Sequence, residues 1–267
     1  MTKKLCLSVA LILSLQVVGC SKINGRIAIR EANDLYEKED WAGALKQYER
    51  ARKIDPSFPE IDRLIGYCYI GLFKPEEPSP QNEKYADAAI RELQNYLRKR
   101  PDDTVAREAM INTLLNANRT SQAIDYFRTY LQSHPADLDA VKSIATLYAK
   151  EGNFNESLNW YEKITLIDSK NPESYYIFGV VAYEKVSKDP PPLIPDRLAL
   201  IERGKSALQK SITMKPDYFE SMAYLNLLFR QQALIETDPV KQQALIAQAD
   251  AIRGRAIQII NQRKKST

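Results

Sequence analysis

The side chains that could do catalytic or metal chemistry are few and widely scattered along the chain. The one histidine, His134, stands beside Pro135 in a predicted turn, without the neighbouring cysteines or carboxylates that a metal site needs. Asp102 and Asp103 are adjacent carboxylates in another predicted turn, where we expect water to solvate them. The nine glycines form no phosphate-binding loop, and no Gly-x-Ser-x-Gly nucleophile motif occurs. The sequence therefore predicts no enzyme, no metal site, no cofactor and no small-molecule substrate.

The first nineteen residues have the composition of a secretory signal. Lys3 and Lys4 precede an apolar run of 14 residues, and this run is followed by Gly19 and Cys20. The run is too short to span a bilayer core comfortably, so we expect residues 1–19 to be a signal peptide that is removed. Loss of both lysines would lower the net charge from +4 to +2, which leaves no basic surface for nucleic acid.

The ending Val17-Val18-Gly19-Cys20 resembles the lipobox of bacterial lipoproteins. The resemblance implies that Cys20 carries a diacylglycerol on its sulfur and can receive a further fatty acid, such as palmitate, on its amine. Ser21 stands where the inner-membrane retention rule would require Asp, which favours the periplasmic face of the outer membrane. Val17 and Val18 depart from the preferred residues of the motif. The alternative is an ordinary secretory signal with a chance cysteine.

Residues 20–25 are expected to form a short tether, because the helical pattern starts near Arg26. Cys68 lies alone in an apolar helical pattern, where we expect a small core residue. With Cys6 removed and Cys20 modified, no intramolecular disulfide is expected, and packing must hold the fold together.

The body of the chain carries an internal repeat. Apolar residues recur at steps of three and four without sustained alternation, which predicts an all-α protein. Similar segment ends recur at Pro56, Pro101, Pro135, Ser169 and Pro216, at spacings of 45, 34, 34 and 47 residues. Counted within each repeat, the eighth position carries a small residue in four repeats (Ala32, Gly66, Ala145, Gly179). The twentieth position carries a small residue in five repeats (Ala44, Ala89, Ala123, Ser157, Gly204). The twenty-fourth position carries a large apolar residue in the same five (Tyr48, Leu93, Phe127, Tyr161, Leu208). Such marks allow two antiparallel helices to approach closely.

This pattern resembles the tetratricopeptide repeat (TPR) family over residues 26–235. The resemblance implies a TPR solenoid of about six helical hairpins, closed by a C-terminal capping helix and basic tail in residues 236–267. Proline-rich inserts near 74–83 and 187–195 are expected between the two helices of a repeat. They would serve as surface loops or as a second contact edge for a partner.

Some positions depart from the family pattern. Ile111 and Asn226 replace the small eighth residue, and Tyr96, Tyr130 and Ile164 replace the small twenty-seventh. We expect looser or wider packing at these positions.

The predicted capping helix has an apolar seam and a basic end. The seam consists of Leu245, Ala249, Ile252, Ala256, Ile259 and Ile260. Arg263, Lys264 and Lys265 follow it, either to complement the negative end of the helix dipole or to contact anionic lipid or cell wall.

The family resemblance implies a concave groove lined by the first helix of each repeat. The groove residues that we predict to bind a partner are Asn33, Tyr36, Arg63, Tyr67, Glu108, Asn112, Lys142, Tyr176 and Tyr183. Aromatic and hydrogen-bonding groups of this kind suit an extended peptide or a partner helix, although each tyrosine could instead pack between repeats. The carboxylate clamp of chaperone-binding members is not expected, because Ile29 and Glu108 stand where it requires lysine.

These features together predict a membrane-anchored scaffold that docks another envelope protein. The architecture is similar to that of pilus-biogenesis lipoproteins that help secretin rings to assemble. It is less similar to components of β-barrel insertion, whose repeats end in Tyr-Pro. The rival hypothesis is a cell-wall factor that recruits peptidoglycan enzymes or binds glycan through its tyrosines.

Overall fold

The structure, a computed structural model, describes residues 23–266, and these residues form helices and turns but no strand. Helix α1 occupies residues 23–36. The following helices are α2 (Trp41–Ile54), α3 (Ile61–Leu72), α4 (Pro80–Lys99), α5 (Thr104–Asn116), α6 (Thr120–Ser133), α7 (Leu138–Lys150), α8 (Phe154–Ile167), α9 (Pro172–Lys188), α10 (Ile194–Met214), α11 (Phe219–Ile235) and α12 (Pro239–Ser266). The prediction of an all-α protein is confirmed.

The chain divides into two compact units, and the boundary falls between Ala123 and Ile124, inside α6. In the first unit α3 pairs with α4, while α2 packs on α3 and α4 packs on α5. In the second unit α7 pairs with α8, α9 with α10 and α11 with α12, and α9 also contacts α11. Each unit is therefore a stack of helices in which neighbours in sequence are neighbours in space, as in repeat proteins.

The small residues of the repeat lie where neighbouring helices cross. A Cβ added to Gly66 would come within 2.9 Å of Leu93 Cγ, which leaves no room for a side chain at this position. Ser157 is fully buried, and its hydroxyl donates a hydrogen bond to the carbonyl of Ala145 over 2.9 Å. These close contacts confirm the packing that the eighth and twentieth positions predict.

Helix caps and prolines explain where the helices begin and end. The side chains of Asp40, Asp103, Asp137, Asn153 and Asn171 each accept a hydrogen bond from the first turn of the following helix. The second helix of each repeat ends two residues before a predicted segment end, at Ile54, Lys99, Ser133, Ile167 and Met214. Four of the five segment ends are proline, which cannot continue a helix.

Helix α1 begins earlier than the sequence indicates. Residues 23–25, which the sequence assigns to a tether, are already helical. Gly25 is buried against α2, where an added Cβ would lie 3.3 Å from the Cβ of Asp55. This contact stabilises an extra turn, so the start expected near Arg26 is too late. The predicted signal peptide, Cys20 and residues 21–22 lie outside the described residues.

The first insert is a closed loop that is shorter than expected. Helix α4 starts at Pro80, because Ser79 caps it and proline suits the first helical position. Asn82, which is buried, holds the preceding loop: its amide donates to the carbonyls of Lys74 (2.6 Å) and Glu77 (2.8 Å). The loop between α9 and α10 is likewise short and covers residues 189–193.

Packing is tight at Tyr96, where the sequence predicts looseness. The Tyr96 side chain is only 3% exposed, and its hydroxyl donates to Asp103 Oδ2 over 2.7 Å. Tyr130 makes the matching bond to Asp137 Oδ2 over 2.9 Å. Both tyrosines therefore tie a second helix to the N-cap of the next helix, and the expectation of looser packing is wrong at Tyr96.

Helix α12 packs on α11 through the predicted seam. Ala249 and Ala256 are buried, and Leu245 and Ile252 pack against the core of the second unit. At the basic end, Arg263 pairs with Asp217 over 2.6 Å and lies 5.2 Å from the Phe219 ring. Arg263 thus serves to hold the helix in place. Among residues 23–266 no helix combines the length and apolar character needed to cross a bilayer.

Candidate partner-binding faces

The predicted groove residues on α1 already have partners within the chain. Asn33 is exposed, but its Oδ1 accepts a hydrogen bond from the hydroxyl of Tyr48 over 2.6 Å. Tyr36 is half-buried and meets Trp41 edge to face, with ring centroids 4.7 Å apart. These contacts position both side chains, and part of each remains accessible to a partner.

Arg63 on α3 is neutralised by carboxylates of its own unit. Its guanidinium pairs with Glu60 over 2.8 Å and with Asp103 over 3.1 Å, and it lies 5.3 Å from the Tyr96 ring. Burial alone would lower the pKa of Arg63, but Glu60 and its other neighbours outweigh this effect and raise the pKa. Arg63 is therefore held as part of the fold. The neighbouring Tyr67 is half-buried beside it.

Three predicted groove residues project into solvent. Glu108 and Asn112 are exposed on α5 of the first unit. Lys142 is exposed on α7 of the second unit. Their position on first helices agrees with the expected binding face, and their role in binding stays a prediction.

Tyr176 and Tyr183 belong to a group of four rings in the second unit. The Tyr176 centroid lies 5.2 Å from that of Tyr218 and 5.9 Å from that of Tyr224, and Tyr183 lies 5.6 Å from Tyr224. We call Tyr176, Tyr183, Tyr218 and Tyr224 the tyrosine cluster. All four side chains are half-buried. The rings therefore pack against one another, as the packing alternative predicts, and they still present an aromatic surface to a partner.

Sequence reasoning missed Tyr218 and Tyr224. Tyr224 occupies the sixth position of its repeat, next to a position expected in the groove, and Tyr218 lies in the turn before α11. The available signal was the crowding of tyrosines at 176, 183, 218 and 224 in two consecutive repeats. A search restricted to fixed groove positions could not use that signal.

Two glutamates accompany the tyrosine cluster. Burial raises the pKa of Tyr218 to about 12, and the negative charges of Glu173 and Glu220 add to this effect. Burial, Tyr224 and the same two glutamates raise the pKa of Tyr176. Glu173 precedes Tyr176 by three residues on α9, and Glu220 precedes Tyr224 by four residues on α11. These spacings place each carboxylate on the same helix face as a ring of the cluster.

A separate cleft of about 450 Å³ lies beside the second proline-rich insert. Asn155, Lys185, Pro191 and Arg203 are among its lining residues. Lys185 pairs with Asp189, and Arg203 pairs with a carboxylate on α8 over 2.7 Å. Its two basic groups are therefore already matched, which makes this cleft a weaker candidate than the tyrosine cluster.

The side chains that could do catalytic or metal chemistry make structural contacts within the fold. The His134 ring stacks on Tyr130 with centroids 4.2 Å apart. Asp103 is hydrogen-bonded to Tyr96 and caps α5, so the expectation that water solvates it is wrong. Cys68 is fully buried, and burial raises the pKa of its thiol to about 12, as suits a core residue. Residues 23–266 contain no cluster of three or more candidate metal ligands.

Paired helices, small residues at their crossings and partly exposed first-helix side chains define a helical-repeat protein of the binding type. A family model described as "Tetratricopeptide repeat" matches residues 29–73 and 108–172. The tetratricopeptide repeats that the sequence predicts are thus confirmed over these two segments.

Solved structures show the same fold. The chain is similar to a TPR repeats protein from Bacteroides fragilis, with 16% identity and a TM-score of 0.53 over 79% of this chain and 99% of that one. It is also similar to the C-terminal part of a TPR repeat-containing protein from Cytophaga hutchinsonii, with 18% identity and a TM-score of 0.51 over 86% of this chain and 78% of that one. A comparison with curated protein sequences gives no match.

Proposed function

We propose that this chain is a lipid-anchored scaffold of the bacterial cell envelope that docks another envelope protein on the first helices of its repeats. Cys20 would anchor it in the outer membrane, with the repeats on the periplasmic side. Assembly of a pilus secretin or of another outer-membrane complex is the kind of process that such a scaffold serves. The tetratricopeptide fold supports a role in binding proteins.

The tyrosine cluster is the observation that carries the docking proposal. Its four rings are already packed against one another, so little side-chain entropy remains to be lost on binding. Tyrosine also supplies a large contact area with only two side-chain torsions. A half-buried aromatic surface of this kind is suited to a polypeptide partner.

The anchor proposal is supported by residues 1–20 alone. The basic start, the apolar run and the Val17-Val18-Gly19-Cys20 ending together resemble a lipoprotein leader. A single acyl chain binds a membrane only marginally, whereas two or three chains hold a protein there stably.

Crosslinking mass spectrometry of the full chain in its native envelope tests the docking proposal. We expect a partner polypeptide to crosslink near the tyrosine cluster. Those crosslinks should be lost in a variant carrying Tyr176→Ala, Tyr183→Ala and Tyr224→Ala, because the aromatic contact area is removed.

Tyr175→Ala is the matched control. Tyr175 lies on the same helix, but its hydroxyl donates to the carbonyl of Ser169 and its ring lies against Lys210, away from the cluster. Circular dichroism should show that both variants keep their helices. If the triple variant retains every crosslink, the docking proposal is wrong. If wild type instead crosslinks to hydrolases or sediments with purified cell wall, the cell-wall hypothesis takes its place.

A further inference from the structure

The tyrosine cluster has an acidic border that its own chain does not neutralise. Glu173 is exposed in the first turn of α9, and Glu220 is half-buried in the first turn of α11. Within residues 23–266 neither carboxylate forms an ion pair with a lysine or arginine. By contrast, Arg63 and Asp103 of the first unit pair with each other.

One basic group also faces the cluster. Lys215, at the C-cap of α10, places its Nζ 4.5 Å from the centroid of the Tyr218 ring. The other charged groups beside Tyr218 are engaged with one another or with the backbone. Asp217 pairs with Arg263 over 2.6 Å, and Arg255 donates to a backbone carbonyl over 3.1 Å. The Lys215 contact also shows that one ring of the cluster, Tyr218, accepts a cation on its face.

The helix dipole explains only part of this arrangement. Carboxylates in a first helical turn complement the positive end of the dipole wherever they occur. The dipole does not account for the placement of Glu173 and Glu220 on the helix faces that carry rings of the cluster. Aromatic faces beside unpaired carboxylates are complementary to a cation, which gains both a cation–π contact and an ion pair there.

We propose that the tyrosine cluster, with Glu173 and Glu220, binds a lysine- or arginine-bearing segment of the partner polypeptide. This inference rests on the proposed docking function and specifies the chemistry of the docked segment. The cationic side chain would lie against the exposed rings with the two carboxylates beside it. Lys215 would act as an internal competitor for the same surface.

Fluorescence anisotropy with the full mature chain tests the proposal directly. The probes are two fluorescein-labelled peptides of twelve residues, one alternating Arg and Ser and the other alternating Gln and Ser. We expect the arginine peptide to bind at least about tenfold more tightly in 50 mM salt, and this preference should shrink at 500 mM because salt screens exposed charges.

Charge variants separate recognition from a structural role. Glu173→Gln with Glu220→Gln should weaken binding of the arginine peptide about four- to twenty-fivefold, at about two- to fivefold for each charge. Lys215→Gln should strengthen binding about two- to fivefold, because it removes the internal competitor. A purely structural role for these residues predicts no such gain. Glu184→Gln, on α9 but paired with Lys188, should bind like wild type.

Equal affinity for both peptides, or weaker binding by Lys215→Gln, would overturn the inference. Its failure can be told from failure of the docking function. If the triple tyrosine variant loses its envelope crosslinks while Glu173→Gln with Glu220→Gln keeps them, the chain docks a partner by other chemistry. If wild type gives no polypeptide crosslink near the cluster, the docking function itself fails.

Discussion

Asp103 joins three helices of the first unit through one carboxylate. Its Oδ1 accepts a hydrogen bond from the backbone of Ala106 at the start of α5, over 2.9 Å. Its Oδ2 accepts from Tyr96 of α4 over 2.7 Å and from Arg63 of α3 over 3.1 Å. Partial burial would raise the pKa of Asp103, but these hydrogen bonds and the Arg63 charge outweigh it and lower the pKa. The charged form is thus the one that the fold requires.

Replacing Asp103 by Asn should therefore destabilise the protein in a pH-dependent way. At pH 7 we expect a loss of about 1–2 kcal/mol in the free energy of unfolding, from a weakened cap and a lost charge-assisted bond. Because the folded pKa lies below the unfolded value of about 3.9, this stabilisation is complete above that value. It is lost as the pH falls through the folded pKa.

Urea unfolding at pH 7, 4 and 3 measures this difference. The gap between wild type and Asp103→Asn should narrow as the pH falls. Asp102→Asn changes the adjacent exposed carboxylate and should have little effect at any of these values. A gap that is constant with pH would contradict the role assigned to the Asp103 charge.

For single residues, the sequence predicts which side chains are buried better than it predicts their hydrogen-bond partners. Cys68 is the core residue that its apolar surroundings indicate, and Ala44 and Ala89 are fully buried as their spacing requires. Tyr96 is misread, because the family rule expects a small residue there. Its hydroxyl finds Asp103 only once the next helix is in place, so the partnership depends on the tertiary fold.

At the level of helices, the free energy of unfolding depends on how closely two helices pack where they cross. Gly179 of α9 lies directly against Leu208 of α10, and Leu208 is fully buried. Gly254 also lies within a helix, α12, but no atom approaches the place where its Cβ would stand. The two glycines therefore share a backbone conformation and differ in their surroundings.

Changing each glycine to alanine should give effects of opposite sign. Gly179→Ala should lower the free energy of unfolding by about 1–3 kcal/mol, because the methyl group overpacks the crossing. Gly254→Ala should raise it by up to about 1 kcal/mol, because alanine favours the helix and meets nothing. Thermal unfolding followed by circular dichroism measures both changes. Stabilisation by Gly179→Ala would mean that the two helices are farther apart than described.

Helix ends were more predictable than inserts. Prolines and capping residues act locally, so the sequence indicates the ends of α2, α4, α6, α8 and α10 closely. The first insert is different, because Asn82 closes it through backbone groups up to eight residues away. Its proline content predicts an extended projection, and the amide contacts that prevent this have no sequence signature.

For the whole molecule, the proposed attachment to the membrane would depend on the thiol of Cys20. Cys20→Ala should abolish incorporation of labelled palmitate and release the chain from the membrane fraction, because no acyl chain can then be added. Metabolic labelling followed by fractionation measures both effects. Cys68→Ala is the matched control, since Cys68 is fully buried and should not affect labelling. Absence of label on wild type would refute the anchor.

The tyrosine cluster illustrates what the sequence leaves open for the whole molecule. The repeat indicates which helices present side chains to the groove, and this allows Tyr176 and Tyr183 to be predicted as groove residues. The acidic border arises from Glu173 and Glu220 on different repeats, together with Tyr218 in a turn. Only the folded second unit brings these groups to one place, so the chemistry of a partner could not be predicted in advance.

The early start of α1 has a consequence for how an anchored molecule would meet its partners. With Ile23 already helical, three peptide steps separate it from Cys20, and fully stretched they reach about 11 Å. A lipid anchor on Cys20 would therefore hold the start of α1 within about 11 Å of the bilayer surface. An anchored molecule would meet other membrane-bound molecules by lateral diffusion in two dimensions, where their effective concentration is high. Modest affinity at each contact would suffice for capture under such confinement.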